Sequence, residues 1–131
     1  MSERRNISGG RPWEETVGYS RAVRVGSQVF VSGTTASDAQ GNVLELGNAY
    51  GQAMHCFRTI ETALKEAGAA MKDVVRTRMY VTDIAHFEAI GRAHAAFFSN
   101  VRPAATVVEV QRLLSPEMLI EIEVDAVIAA E

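Results

Sequence analysis

Between residues 120 and 126, apolar and acidic side chains alternate without a break: Ile120, Ile122, Val124 and Ala126 against Glu121, Glu123 and Asp125. A period of two is the mark of a strand with one face buried and one face polar. The same period runs through residues 73–83, where Val75, Thr77, Met79 and Val81 alternate with Arg76, Arg78 and Tyr80. Upstream, Ala22, Val23 and Val25 precede Gly26-Ser27, and Val29, Phe30 and Val31 follow it. Two short apolar runs about a Gly-Ser pair predict a hairpin over residues 20–33. The segment TTASDAQGNVLEL reads as loop, with Gly41-Asn42 as a turn. In VRPAATVVEVQ, residues 101–111, a β-branched run follows Ala104-Ala105 and is interrupted only by Glu109, which predicts another strand.

Two segments change period. Met54, Phe57, Ile60 and Leu64 recur at intervals of 3, 3 and 4 and predict a helix over residues 48–68, with Gly68 as its C-terminal cap. Over residues 84–99, Phe87, Ile90, His94 and Phe97 or Phe98 share one helical face. Glu88 and Arg92 are spaced for an outward i,i+4 pair, and Pro103 marks a helix already ended. Residues 1–18 are polar and glycine-rich, and Pro12 argues against a helix there. They read as an arm anchored by Trp13.

The order β-β-α-β-α-β-β predicts an α+β fold in a single domain spanning residues 1–131, with the two terminal strand pairs as hairpins. Two helices cannot cover both faces of a mixed sheet of about five strands, so both are expected on one face. The other face carries Arg76, Arg78, Glu121, Glu123 and Asp125, placed for cross-strand ion pairs if their strands are neighbours. That pattern fits a solvated charged face or, as the sharper reading, a polar subunit interface holding a site.

Composition narrows the function classes. Of 131 residues 47% are hydrophobic and 22% charged, the balance of a globular domain, and the net charge of −3 argues against a nucleic-acid partner. MSERRNISGG has no apolar stretch of the kind a signal peptide needs, and no run approaches the ~18 apolar residues of a membrane span. The expectation is a cytoplasmic protein with no membrane partner. The single cysteine, Cys56, cannot form an internal disulfide, and it points about 100° away from its neighbour His55 on a helix. It reads as a structural thiol. His86 and His94 lie eight residues apart, and neither an HExxH nor a CxxC motif is present, so no metal is expected. Neither a phosphate-binding loop nor a GxGxxG turn follows a strand, so no cofactor is expected. Ser32-Gly33 closes a strand, where free backbone N–H groups can take an anion. Tyr19 and Trp13 stand either as walls of a site or as anchors of the arm.

Four stretches together resemble the Rid family, the reactive intermediate deaminases also called YjgF or L-PSP endoribonuclease-like proteins: VGYSRAVRVGSQVFVSG, ALKEAGAAMKDVVRTRMYVTDIAHF, RPAATVVEVQRL and IEIEVDAV, within residues 17–128. The resemblance implies a chorismate-mutase-like fold and a homotrimer whose sheets face a barrel-like centre, with small-molecule clefts between subunits. It favours the interface reading of the charged sheet face. Active members hydrolyse imines or enamines to a carbonyl acid and ammonia. An arginine grips the substrate carboxylate and a glutamate on the last strand helps to position water. That glutamate corresponds to Glu121, the pocket tyrosine to Tyr19, and the strand-closing Ser-Gly to Ser32 and Gly33.

The arginine corresponds to Ala105, and two further pocket positions differ from the family: a helix asparagine is Gly91 and a cysteine is Val107. With Phe87 and Thr106 these complete the expected ligand-binding set. A hydrogen bond to a charged group is worth ~1.5–3 kcal/mol, so losing it slows turnover of a small acid by about 10- to 150-fold. Arg102, Arg21, Arg24 and Arg112 are the cations that could substitute. The expected function is a metabolite-binding protein with weak or altered imine deaminase activity. A non-catalytic sensor or regulatory partner of another enzyme is the alternative, and an endoribonuclease is the least supported.

Overall fold

The computed structural model describes residues 3–129. Its elements run β1 (Arg4–Ile7), α1 (Pro12–Val17), β2 (Ala22–Val25), β3 (Gln28–Thr34), α2 (Ala49–Glu66), β4 (Val74–Val81), α3 (Phe87–Phe98), β5 (Ala104–Glu109) and β6 (Ile120–Val127). The six strands form one sheet in the order β1-β2-β3-β6-β4-β5. Every pairing is antiparallel except β4 with β5.

The predicted β2–β3 hairpin turns at Gly26, whose φ of 60° suits a residue without Cβ. Helix α2 starts at Asn48, which accepts a hydrogen bond from the Gly51 amide, and Gly68 (φ 86°) stands just beyond its end. Phe57, Ile60 and Leu64 of the predicted stripe are fully buried, and Met54 is partly so. Helix α2 packs against β3, β6 and α3. Helix α3 meets the same sheet face, where buried Thr77 of β4 bonds His94. The rings of Phe97 and Phe98 lie 5.3 and 5.4 Å from Phe57.

Four expectations need correction. The last two strands are not a hairpin. β6 lies between β3 and β4, while β5 runs parallel to β4 at the edge. Both placements follow from burial: Ile120, Ile122, Val124 and Ala126 are buried and need a central strand under α2, whereas only Val107 of β5 is even partly buried. The N-terminal arm is not structureless. Pro12 opens α1 at its first turn, where its missing N–H costs nothing, and β1 adds a sixth strand. On β4 the alternation holds for Thr77, Met79 and Val81, but it is Val74 that is buried and Val75 that is exposed. The register against β6 slips between Val74 and Arg76, and one extra residue reverses the faces. Finally, Arg92 stacks over the Tyr50 ring at 5.3 Å rather than pairing with Glu88.

The charged sheet face forms, with one of the expected cross-strand ion pairs and none at Arg76 or Glu121 among the described residues. Arg78 pairs with Asp125 at 3.1 Å, and the Tyr80 hydroxyl donates to Glu123. In register Arg78 faces Glu123 and Tyr80 faces Glu121, so both contacts run diagonally across the strands.

Candidate functional site

Two recesses hold the expected site residues. The first forms where β3 loses register with β6 between Val31 and Thr34. Gly33 sits in that irregularity, and a Cβ there would overlap the Glu121 carboxylate. Glycine is therefore required for close approach, not for its dihedral freedom. Arg21 donates to the carbonyls of Ser32 (2.7 Å) and Gly33 (2.6 Å), and the Ser32 hydroxyl donates to the Ser20 carbonyl. The Arg21 Nε is buried without a partner. Burial lowers the Arg21 pKa, and burial raises that of Glu121, an effect the nearby Arg21 charge opposes. Tyr19, Trp13 and Met118 are among the further residues that line this cavity of about 750 Å³. Trp13 is held in place by Arg11, whose guanidinium lies 5.8 Å from the ring and donates to the carbonyls of Ser37 and Asp38. Asp38 in turn accepts from the amides of Gln40 and Asn42, closing the predicted turn beneath the indole.

The second recess, of about 600 Å³, lies between α3 and the edge strand β5. Phe87, Gly91, His94, Arg102, Ala105 and Val107 contribute to its lining. Ala105 presents only a methyl group. His94 Nε2 is 2.9 Å from the Thr77 hydroxyl, and burial lowers the His94 pKa. Arg102 enters β5 with a φ of 57°. For a residue with a Cβ, that left-handed conformation costs on the order of 1–3 kcal/mol.

The eight residues Tyr19, Ser32, Gly33, Glu121, Phe87, Gly91, Ala105 and Val107 therefore divide four and four, and the two recesses share no lining residue. Thr106 lines neither; it alternates with Ala105 and Val107 and faces Arg78 across the sheet. Of the candidate cations, Arg21 belongs to the first recess and Arg102 to the second. Arg24 is tied to the carbonyls of Gly26 and Ala67, and Arg112 lines neither recess. Sequence reasoning missed Arg11, Ser37 and Met118, which reach the first recess from the arm, from the loop after β3 and from the segment before β6. The Arg-Pro-Trp run was the available signal. Cys56 is fully buried, and burial pushes its thiol pKa strongly upward. Among the described residues, no group of three or more His, Cys, Asp or Glu side chains could hold a metal, and no helix is long and apolar enough to cross a membrane.

Comparison with known proteins finds a match between residues 11–128 and the family model described as Endoribonuclease L-PSP. A crystal structure from Mycobacterium tuberculosis, described as a member of the YjgF/YER057c/UK114 family, is 44% identical, covers 96% of this chain and 100% of its own, and superposes with a TM-score of 0.88. An uncharacterised Streptomyces coelicolor protein is 38% identical over 93% of this chain and 90% of its own length. The 3-aminoacrylate deaminase RutC of Acinetobacter baylyi is 36% identical over 79% of this chain and 82% of its own length.

Proposed function

The chain belongs to the endoribonuclease L-PSP family, the Rid or YjgF proteins, and from that membership we propose a homotrimer with intersubunit clefts that binds a small metabolite and hydrolyses imines or enamines weakly. In this reading the Glu121 recess of one subunit faces the Ala105 recess of the next, and the charged sheet faces line a barrel-like centre. The division of the site residues into two open, non-overlapping half-sites supports it. A carboxylate held over Gly33 beside Tyr19 suits a group that orients water toward an imine carbon. Water adds to that carbon, the C–N bond breaks, and ammonia leaves with a carbonyl product.

The observation that carries the proposal is Ala105, which puts a methyl group where the resemblance calls for a cation. A three-carbon imino acid would enter without an anion partner. The test is ammonia release from 2-iminopropionate by the wild type and by Ala105→Arg. The variant should gain about 10- to 150-fold. A wild type as fast as an arginine-bearing relative, or a variant that gains nothing, would refute the proposal. The same alanine favours a second reading, a sensor that binds without turnover, in which Glu121→Gln changes affinity alone. RNA cleavage is disfavoured by the net charge of −3.

A further inference from the structure

The two most exposed large apolar side chains among the described residues, Leu114 and Val17, both line the recess that holds Glu121. Trp13 and Met118 line it too. Lone exposed hydrophobics are ordinary, but a set of them around one cavity marks a binding surface. The indole is the fixed member of this set. A Cβ on Gly41 would sit 3.4 Å from its six-membered ring, and the Arg11 guanidinium over the ring is itself tied to the carbonyls of Ser37 and Asp38. One residue on, the buried Glu14 carboxylate moors α1 by accepting from the Gly9 amide at 2.9 Å and from the Ser8 hydroxyl at 3.3 Å. The polar donors of the recess, in contrast, are turned inward. Arg21 donates to the carbonyls of Ser32 and Gly33, Ser32 to that of Ser20 and Thr34 to that of Ser32. Both cations of the lining, Arg11 and Arg21, thus already hold two carbonyls each, and Glu121 adds a carboxylate that repels an anion. A cavity of about 750 Å³ lies in the ~300–1,000 Å³ range of sites for drug-sized molecules, so its occupant is an uncharged guest with a large apolar body.

We propose that Trp13 sets the specificity of the Glu121 recess, and that its guest is an uncharged imine or enamine with a flat aromatic body packed against the indole and Met118. The inference rests on the Rid-like reading above and names a substrate class for it. An aromatic ring gains from the indole quadrupole and from the thioether beyond the area it buries, which a branched alkyl body does not. Hydrolysis adds water to the C=N carbon, breaks the C–N bond and releases ammonia with the matching aryl-bearing ketone or aldehyde. That ketone is a stable probe of the same subsite.

Titration calorimetry on the full chain tests it with 4-phenyl-2-butanone, 2-butanone and 3-phenylpropionate. Trp13 is the only tryptophan, so its fluorescence reports the same event. The aryl ketone should bind at least about 10-fold more tightly than 2-butanone or the acid, and should change the emission saturably at the calorimetric dissociation constant. Trp13→Ala should weaken the aryl ketone by about 10-fold or more, and Trp13→Phe should keep most of the affinity. Both variants should keep the wild-type assembly in light scattering. Equal binding of the two ketones overturns the proposal, as does an acid that binds as tightly as the aryl ketone. So does a Trp13→Ala chain that binds like the wild type, or an emission that the bound ketone leaves unchanged. A Trp13→Ala chain that loses its assembly also overturns it, since the indole would then be a subunit contact. Trp13-dependent binding without ammonia release from any imine would leave the aromatic subsite standing and remove the deaminase reading.

Discussion

Glu121 holds its charge where burial makes ionisation costly, against the backbone of Gly33 and close to an arginine already committed to two carbonyls. That position has a consequence for stability. Burial raises its pKa above the ordinary 4.5, so just above pH 4.5 the folded chain keeps a proton that the unfolded chain has lost. Stability from this group therefore falls as pH rises from 4.5 through the raised folded value, and is level beyond it. Glu121→Gln removes the titration. Urea unfolding at several pH values between 4.5 and 7 should show the variant gaining on the wild type as pH rises. Parallel curves would mean that Arg21 offsets the burial completely.

At the scale of elements, the decisive feature is the irregularity on β4. Val74 is buried and Val75 is exposed, although sequence alternation alone gives the reverse. Val74→Thr should cost about 1–3 kcal/mol by placing an unpartnered hydroxyl in the core, and Val75→Thr should stay within about 0.5 kcal/mol. Equal costs in chemical denaturation would argue against the slipped register. The same position marks where the sequence stops being legible. Helix α2 was readable because Phe57, Ile60 and Leu64 repeat a helical spacing and Gly68 marks its end. The face of Glu121 was readable from the unbroken alternation of β6. A one-residue slip leaves no local signature, and neither does the choice of neighbour for an edge strand, so the pairing of β5 with β4 was not readable. The nine residues expected to form one site came from resemblance. The split of eight of them into two recesses, with Thr106 in neither, is a matter of tertiary geometry that no spacing encodes.

For the whole molecule, the question is what covers the sheet face turned away from α2 and α3. That face exposes Phe30, Val108 and Val127 beside a charged set in which Arg78 pairs with Asp125 and the Tyr80 hydroxyl bonds Glu123. The Arg78–Asp125 pair lowers the cost of covering this part of the face, and the exposed apolar side chains beside it supply the attraction. Such a face suits a subunit interface better than open water. Phe30 lies opposite Asp125 in the β3–β6 register, so Phe30→Glu sets two like charges side by side and loses an apolar contact. An uncompensated charge buried at an interface costs several kcal/mol, and each ~1.4 kcal/mol is a factor of ten in association. In light scattering coupled to gel filtration, the wild type should run as a trimer at micromolar concentration and Phe30→Glu as a monomer with its helix content retained. Imine hydrolysis should disappear with the trimer if the catalytic cleft needs both half-sites. Full activity in a monomeric variant would place the chemistry in one recess alone, and a wild-type monomer would remove the interface reading.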